Sequence, residues 1–436
     1  MKFCIRACIA FVALSVLAPL ASQARTLGEL LPELLVEHER VQAAEDRREA
    51  AYYTLQESKA AWYPRLDLTG DVAQEDIDTT KKVQQTTVMT RNTEKLRATQ
   101  LLTDFGLTDS VIGQNRALFE QSELNKVVAR QGLILEGITA YLDLLRYSKT
   151  LAYSFQAEES IKERWAIEDS RVEKGAGLRT DELQAKAQLA GATAARVGQE
   201  GLYKNAANRF RALYSFTPDD ADVQSFVLPV FPAHLIPPTE QQAVDLARKG
   251  SLTLKVLRTN VDAADEAVEM VGARFYPTFT GYTEYYRKEN DAGSMSTKKE
   301  QRLGVEFAWN MFAGGGDMSA LKAAKASQSA SVNDLLDNGR LVEETVRRAW
   351  VDLLTARDVS EWYHNQAVIQ SEFLELARKQ RDTKGPDQQI LSDLLNAEVG
   401  YTSALSGAVS SDVDMYLAAY RLLHAMGQLE MDLFVN

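Results

Sequence analysis

Residue types that can do acid–base, metal or nucleophilic chemistry are present but not gathered. His38, His234, His364 and His424 show no metal-ligand spacing, and both cysteines, Cys4 and Cys8, fall near the N-terminus. Gly314-Gly315-Gly316 offers a glycine-rich turn, but neither Gly-Lys-Ser/Thr nor Gly-x-Gly-x-x-Gly follows. That run therefore reads as a tight turn capped by Asp317 or Ser319, not as a phosphate cradle. The many Asp and Glu residues lie among helical charges, where solvated faces explain them, and no pair is singled out as the carboxylates of a glycosidase. No catalytic residue, cofactor or metal is expected, and the chain does not read as an enzyme. Two carboxylates stand out by position. Asp181 and Asp393 each lie just past a glycine-marked break, where a returning helical pattern begins. A carboxylate in the first turn of a helix is favoured there by the macrodipole and by capping, whatever else it does.

The chain that must position these residues has 436 of them, 45% hydrophobic and 25% charged with 10 prolines, so it folds and is neither disordered nor fibrous. The 49 Lys and Arg against 61 Asp and Glu give a net charge of -12, which argues against a protein that coats nucleic acid. Lys2 and Arg6 precede a mostly apolar run from Ala7 to Leu20 and then Ala21-Ser22-Gln23-Ala24. Residues 1–24 thus read as a secretory signal peptide, and the mature chain holds no cysteine and no disulfide. No lipid-anchored N-terminus is expected. No later segment has the roughly eighteen uninterrupted apolar residues of a membrane-spanning helix, so the exported chain is either free beyond the inner membrane or inserted as a β-barrel.

The sequence repeats itself with a period of roughly 210 residues. Ala61-Trp62-Tyr63-Pro64-Arg65 returns as Arg274-Phe275-Tyr276-Pro277-Thr278, and Asp104-Phe105-Gly106 returns loosely as Met311-Phe312-Ala313-Gly314. Ala140-Tyr141-Leu142-Asp143-Leu144-Leu145 returns as Ala349-Trp350-Val351-Asp352-Leu353-Leu354. Thr180-Asp181-Glu182-Leu183-Gln184-Ala185 returns as Ser392-Asp393-Leu394-Leu395-Asn396-Ala397. Residues 25–217 form a first repeat and 239–436 a second, with 218–238 between them as an extended, proline-rich linker.

Pro64 and Pro277 mark helix-to-strand junctions, because proline is costly inside helices and central strands. The proline-free tracts beyond them carry apolar residues at helical spacing, such as Leu135, Ile138, Leu142 and Leu145. A helix from about Asp109 to about Glu173 would be roughly 100 Å long. Gly175-Ala176-Gly177 breaks it, and a helix from about Thr180 to about Tyr214 runs back antiparallel, with Lys384-Gly385-Pro386 as the equivalent break in the second repeat. Between each proline and its long helix the period falls to two. From Arg302 to Phe312, Leu303, Val305, Phe307 and Trp309 alternate with Arg302, Glu306 and Asn310, and Arg65 to Ala73 behaves likewise. Such a strand is half-buried on a soluble core, or it crosses a membrane with Leu303, Val305, Phe307 and Trp309 toward lipid and Arg302, Glu306 and Asn310 toward a lumen. Each repeat offers two strands joined by a polar loop, about Asp76 to Arg91 and about Lys288 to Lys299. Four strands cannot close a membrane barrel, so several chains must share one.

With its duplication, the Tyr63-Pro64-Arg65-Leu66 and Tyr276-Pro277-Thr278-Phe279 strand entries, its Gly-rich strand-to-helix turns and its Asp-x-Leu-Gln-Ala and Asp-Leu-Leu-Asn-Ala helix starts, the sequence resembles the TolC family of outer-membrane channel proteins over essentially the whole mature chain. The resemblance implies a mainly α fold with a small β part. Long antiparallel helices form a trimeric α-helical tunnel, continued by a shared twelve-stranded transmembrane β-barrel to which each chain gives four strands. It also implies a homotrimer in the outer membrane of a Gram-negative bacterium, in contact with outer-membrane lipid, extending into the periplasm and docking a periplasmic adaptor and an inner-membrane transporter. In the family a ring of aspartates narrows the periplasmic entrance. Asp393 matches one of them and Asn396 stands where its partner is expected. Asp181 matches an aspartate that latches the closed tip, while the Arg and Tyr partners expected near residues 381 to 389 are not in matching places.

The expected function is that of a passive exit duct. Asn92-Thr93-Glu94 and Val172-Glu173-Lys174-Gly175-Ala176-Gly177 resemble members serving type I protein secretion, with an ATP-driven exporter as partner; tripartite drug or metal efflux is the alternative. A soluble periplasmic coiled-coil adaptor is the reading from another class, and the period-two runs count against it.

Overall fold

The computed structural model describes residues 26–79, 85–293, 295–384 and 388–434; the signal peptide expected at 1–24 and the centre of the Lys384-Gly385-Pro386 break lie outside them. The elements come in two matching series. The first is α1 (Leu27–Glu37), α2 (Glu39–Lys59), β1 (Arg65–Thr79), β2 (Gln85–Thr103), α3 (Leu107–Glu173) and α4 (Arg179–Tyr214). After α5 (Asp220–Ser225) the second runs α6 (Glu240–Gly250), α7 (Leu252–Ala273), β3 (Thr278–Glu289), β4 (Thr297–Ala308), α8 (Gly316–Lys384) and α9 (Gln388–Ala425). The long helices, 67 residues in α3 and 69 in α8, are each about 100 Å long. Among the described residues no helix is long and apolar enough to cross a membrane.

Local chemistry explains the boundaries. Thr26 and Thr239 open the equivalent helices α1 and α6, the first in a capping box with Glu29 and the second accepting from the Gln242 amide at 3.3 Å. Each passage from strand to long helix needs two successive left-handed residues: Phe105 and Gly106 before α3, Gly314 and Gly315 before α8. Phe105 holds this costly conformation because its ring stacks on Tyr276 at 5.4 Å, while Asp104 accepts from the Thr108 amide at 2.8 Å and caps the new helix. Before α8 the Ser319 hydroxyl donates to the Gly315 carbonyl at 3.1 Å, so Ser319 is not accepting an amide as a cap would. At the far end of α3 the Gly175 φ of 70° lets the Ala176 amide donate back to the Arg171 carbonyl at 2.9 Å, which ends the helix and starts the return.

The helices are layered lengthwise: α3 lies against α2 and α7 near the strands and against α4 and α9 further on, and α8 lies against α7 and then α9. Ion pairs lace these seams. Glu136 of α3 takes Arg40 of α2 at 2.8 Å and Arg209 of α4 at 2.6 Å, and these guanidiniums, Arg40 foremost, hold its carboxyl below the usual range. Glu158 of α3 is likewise held low, first by the Thr193 hydroxyl at 2.6 Å and then by Arg196 of α4.

The main core sits at the waist, where the middle of α3 (Ile138, Tyr141, Leu142, Leu145) meets α1, the end of α4 (Phe210, Leu213) and the end of α9 (Tyr420, Leu423). The stretch 218–238, expected as an extended linker, joins this core. It contains α5 and a short 3-10 turn at Ala233–Leu235, and Val223 and Phe226 are buried in it. Phe226 stacks on Tyr141 at 4.5 Å, and the Tyr141 hydroxyl donates to the Val227 carbonyl at 3.0 Å and accepts from its amide at 3.1 Å. The two series meet where Gly427, with φ of 71°, passes so near Gly250 that a Cβ would come within 2.4 Å of the Gly250 carbonyl oxygen.

Candidate functional site

The four strands make one antiparallel sheet in the order β1-β2-β3-β4, which leaves β1 and β4 as edges with no further partner among the described residues. The ladders are longer than the alternation implies. β1 runs on to Thr79, β2 begins at Gln85 and β4 begins at Thr297, so most of the expected polar loop at 76–91 and both ends of the one at 288–299 are strand. Those outer portions are mostly polar, and the adjacent Val88 and Met89 fall on opposite faces, so no apolar alternation marks them. At the other end β4 stops at Ala308, opposite Thr278, because Pro277 has no N–H to continue the ladder. Trp309 and Asn310 therefore lie past the strand, not on its two faces. The Trp309 indole N–H instead donates to the Phe275 carbonyl at 3.1 Å.

Within the strands the two faces are distinct. Leu303, Val305 and Phe307 share one face with Leu66, Leu68 and Val72, and all six are exposed, Leu303 to 86%. At the helix-side border of this face Phe279 lies 6.1 Å from Phe307 and 6.4 Å from Phe105, an aromatic border of the kind found at membrane interfaces. The opposite face is charged. Asp67, Arg97, Glu284 and Arg302 stand side by side on the four successive strands, in alternating sign. Arg97 also reaches Glu306 at 2.7 Å. Arg302 and Glu306 are thus on the face opposite Leu303.

The other end of the molecule carries the carboxylates singled out by position. Asp181 lies in the first turn of α4 and is only 3% exposed, with the Thr180 hydroxyl 3.4 Å from its carboxylate. Glu182, beside it, is buried against Arg179. An acid there is favoured by the helix N-terminus alone. Asp393 is different. α9 begins at Gln388 and has no acid in its first turn, so Asp393 sits in the second turn, half-buried, and the first-turn explanation does not apply to it. Asn396, one turn further along the same stripe, is exposed.

The helical acids are not all solvated. Glu168 of α3 and Arg381 of α8 form an ion pair at 2.5 Å with side chains 5% and 6% exposed, and Arg171 adds a contact to Glu168 at 3.1 Å. A second fastening follows: Glu398 of α9 accepts from Ser160 of α3 at 3.0 Å and pairs with Arg378 of α8 at 2.8 Å. Both tie the α8/α9 pair to α3. The signal in the sequence is their place in the apolar stripes: Glu168 follows Ile161 and Trp165, Arg381 follows Leu374 and Ala377, and Glu398 follows Leu391 and Leu394, all at steps of three or four. A charge at such a position is buried between helices and tends to fix their register. Arg381, at the edge of the segment where an arginine partner for Asp181 is expected, thus engages Glu168.

A sheet with two open edges, one apolar face and one charged face, carried on helices of about 100 Å, defines a TolC-like channel protein of the outer membrane. The chain belongs to the outer membrane efflux protein family, whose model matches residues 30–214 and again 243–427. It is 23% identical over 379 residues, 86% of this chain and 79% of the other, to the outer membrane efflux protein BepC of Brucella suis. It is 24% identical over 304 residues, 69% of this chain and 62% of the other, to the alkaline protease secretion protein AprF of Pseudomonas aeruginosa. The fold matches the CmeC outer membrane channel of Campylobacter jejuni with a TM-score of 0.81 at 16% identity, over 92% of this chain and 85% of that one.

Proposed function

We propose that three copies of this chain assemble into the outer-membrane exit channel of a tripartite system, a passive duct that receives cargo from an inner-membrane transporter and a periplasmic adaptor, most simply for type I protein secretion. The observation that carries this is the four-stranded sheet with two unpaired edges: in lipid those edges need partners, and three copies joined β4 to β1 supply a closed barrel of twelve strands. Exposed apolar seams continue the same interface down the helices, through Trp362, Ile369 and Phe373 on α8 and Leu183 and Val197 on α4. In this assembly Leu303, Val305 and Phe307 face lipid, and Arg302 and Glu306 face the lumen.

Asp393 and Asn396 then lie near the periplasmic entrance, with three copies of Asp393 around one axis. Like charges held in a constriction repel one another and attract cations, so the closed entrance is cation-selective. Asp393→Asn is expected to lower cation preference and block by multivalent cations in planar bilayers, whereas Asp181→Asn alters opening more than selectivity. Unchanged selectivity and block in Asp393→Asn would place the gate elsewhere.

The secretion reading is supported by the likeness to AprF and by Asn92-Thr93-Glu94; the likeness to BepC supports efflux. Deleting the gene separates them. Secretion predicts that an exported polypeptide is lost from the medium while susceptibility to drugs and metals is unchanged. Raised susceptibility with normal secretion would favour efflux.

A further inference from the structure

The charged face of the sheet contains a buried hub. Glu284 of β3 has a side chain only 5% exposed, and three cations converge on it: Lys95 at 3.2 Å and Arg97 at 3.8 Å from β2, and Arg302 at 3.6 Å from β4. The Tyr286 hydroxyl also donates to it at 3.3 Å. The cations themselves are not buried to that degree. The side chain of Lys95 is 25% exposed, that of Arg97 30% and that of Arg302 53%, so each shows part of its charge on this face. Glu284 is thus the anion behind the visible cations.

The row it belongs to is balanced. Asp67, Arg97, Glu284 and Arg302 occupy one row across the four strands, two acids and two guanidiniums in alternation. At the edges, Asp67 and Arg302 lack a neighbouring strand and turn along their own strands, to Arg65 at 2.9 Å and to Glu300 at 2.7 Å. Across the strands Glu284 is the shared acid of this row, in contact with Arg97 of β2 and with Arg302 of β4. Removing its charge leaves Lys95, Arg97 and Arg302 facing one another with a neutral amide in their midst.

We infer that Glu284 is a specificity-determining residue of the duct: it neutralises the wall of the barrel segment, so that cargo of either sign passes without being held, and its loss turns that segment anion-attracting. This rests on the channel reading above, in which this face lines the lumen. Three chains give three hubs around one pore, and fixed charge on a pore wall sets ion preference within about 10 Å at 0.1 M salt and about 30 Å at 0.01 M.

The test is the reversal potential of the reconstituted full-length protein in planar bilayers under a potassium chloride gradient, at low and at high salt. The ring at the periplasmic entrance is common to every variant, so differences report the barrel. Glu284→Gln is expected to lower the potassium-to-chloride permeability ratio by about twofold or more at low salt, with a smaller shift at high salt. Glu284→Asp should stay close to the parent. Glu284→Gln combined with Arg302→Gln, which restores balance, should return toward it. Arg302→Gln alone leaves Glu284 bonded to Lys95 and Arg97 and sits on an edge strand, so it reports even where Glu284→Gln does not assemble. It should shift preference toward cations. Unchanged permeability ratios in Arg302→Gln, or in Glu284→Gln where it assembles, overturn the inference. A parent protein that forms no pore at all would instead refute the channel reading.

Discussion

Leu303→Arg should destabilise the assembled barrel by about 2 to 4 kcal/mol, measured as loss of heat- or urea-resistant oligomer in detergent. Leu303 is 86% exposed on the apolar face of β4, in a row with Leu66, Ala98 and Thr283, and several residues from either end of its strand. An arginine there must be taken into hydrocarbon or bend the bilayer toward it. The effect falls with depth, to about 0 to 1 kcal/mol near an interface. Phe307 lies one residue from the end of β4 and borders the aromatic contacts of Phe279 and Phe105. Phe307→Arg should therefore cost less than Leu303→Arg. Glu306→Gln, on the charged face, should be close to silent for assembly. Equal losses at Leu303 and Glu306 would mean that the faces have been assigned the wrong way round.

The second large effect is expected at the other end of the molecule. Arg381→Ala leaves Glu168, 5% exposed, in contact with Arg171 and removes a bond between α8 and α3. Breaking a buried ion pair by deleting one partner costs about 3 to 5 kcal/mol, because the surviving charge stays out of water. Arg171 offsets part of this, so a value near about 3 kcal/mol is expected. The loss should be local. The waist core and the sheet do not depend on this pair, and the α8/α9 end, still held through Glu398, should loosen from α3 beyond that contact. In planar bilayers this appears as higher single-channel conductance, and the exchanged pair Glu168→Arg with Arg381→Glu should return it toward the parent value. Parent-like conductance in Arg381→Ala would show that the pair does not hold the entrance.

How far the sequence discloses this molecule depends on which physical signal each part carries. α3 is readable almost to the residue, expected from about Asp109 and found from Leu107, because proline-free 3-4 spacing ends at glycines that only a helix break explains. The inner parts of β1 and β4 are readable because one face is apolar. Their outer parts, such as Gln85 to Thr93, are mostly polar, with only the adjacent Val88 and Met89 apolar, and leave no alternation to detect, so they read as loop. Val223 and Phe226 are hidden among prolines that suggest an open linker, and their burial follows from Tyr141 reaching across from α3, a contact of long sequence separation. Glu168, Arg381 and Glu398 look like solvated charges until their stripe positions are weighed. The first-turn reading fits Asp181 but not Asp393, because α4 and α9 each start just past their break, at Arg179 and Gln388, while Asp393 lies further along its helix than Asp181 does.

The central claim is that this four-stranded sheet is one third of a shared barrel. Native mass measurement of the full-length protein extracted from outer-membrane fractions in mild detergent tests it most directly, together with a disulfide formed between single cysteines placed on β1 and β4. The account predicts the mass of three chains in the outer membrane, and a cross-link that forms between chains and never within one. A one-chain mass from the soluble periplasm, with no membrane-bound pool, would contradict it.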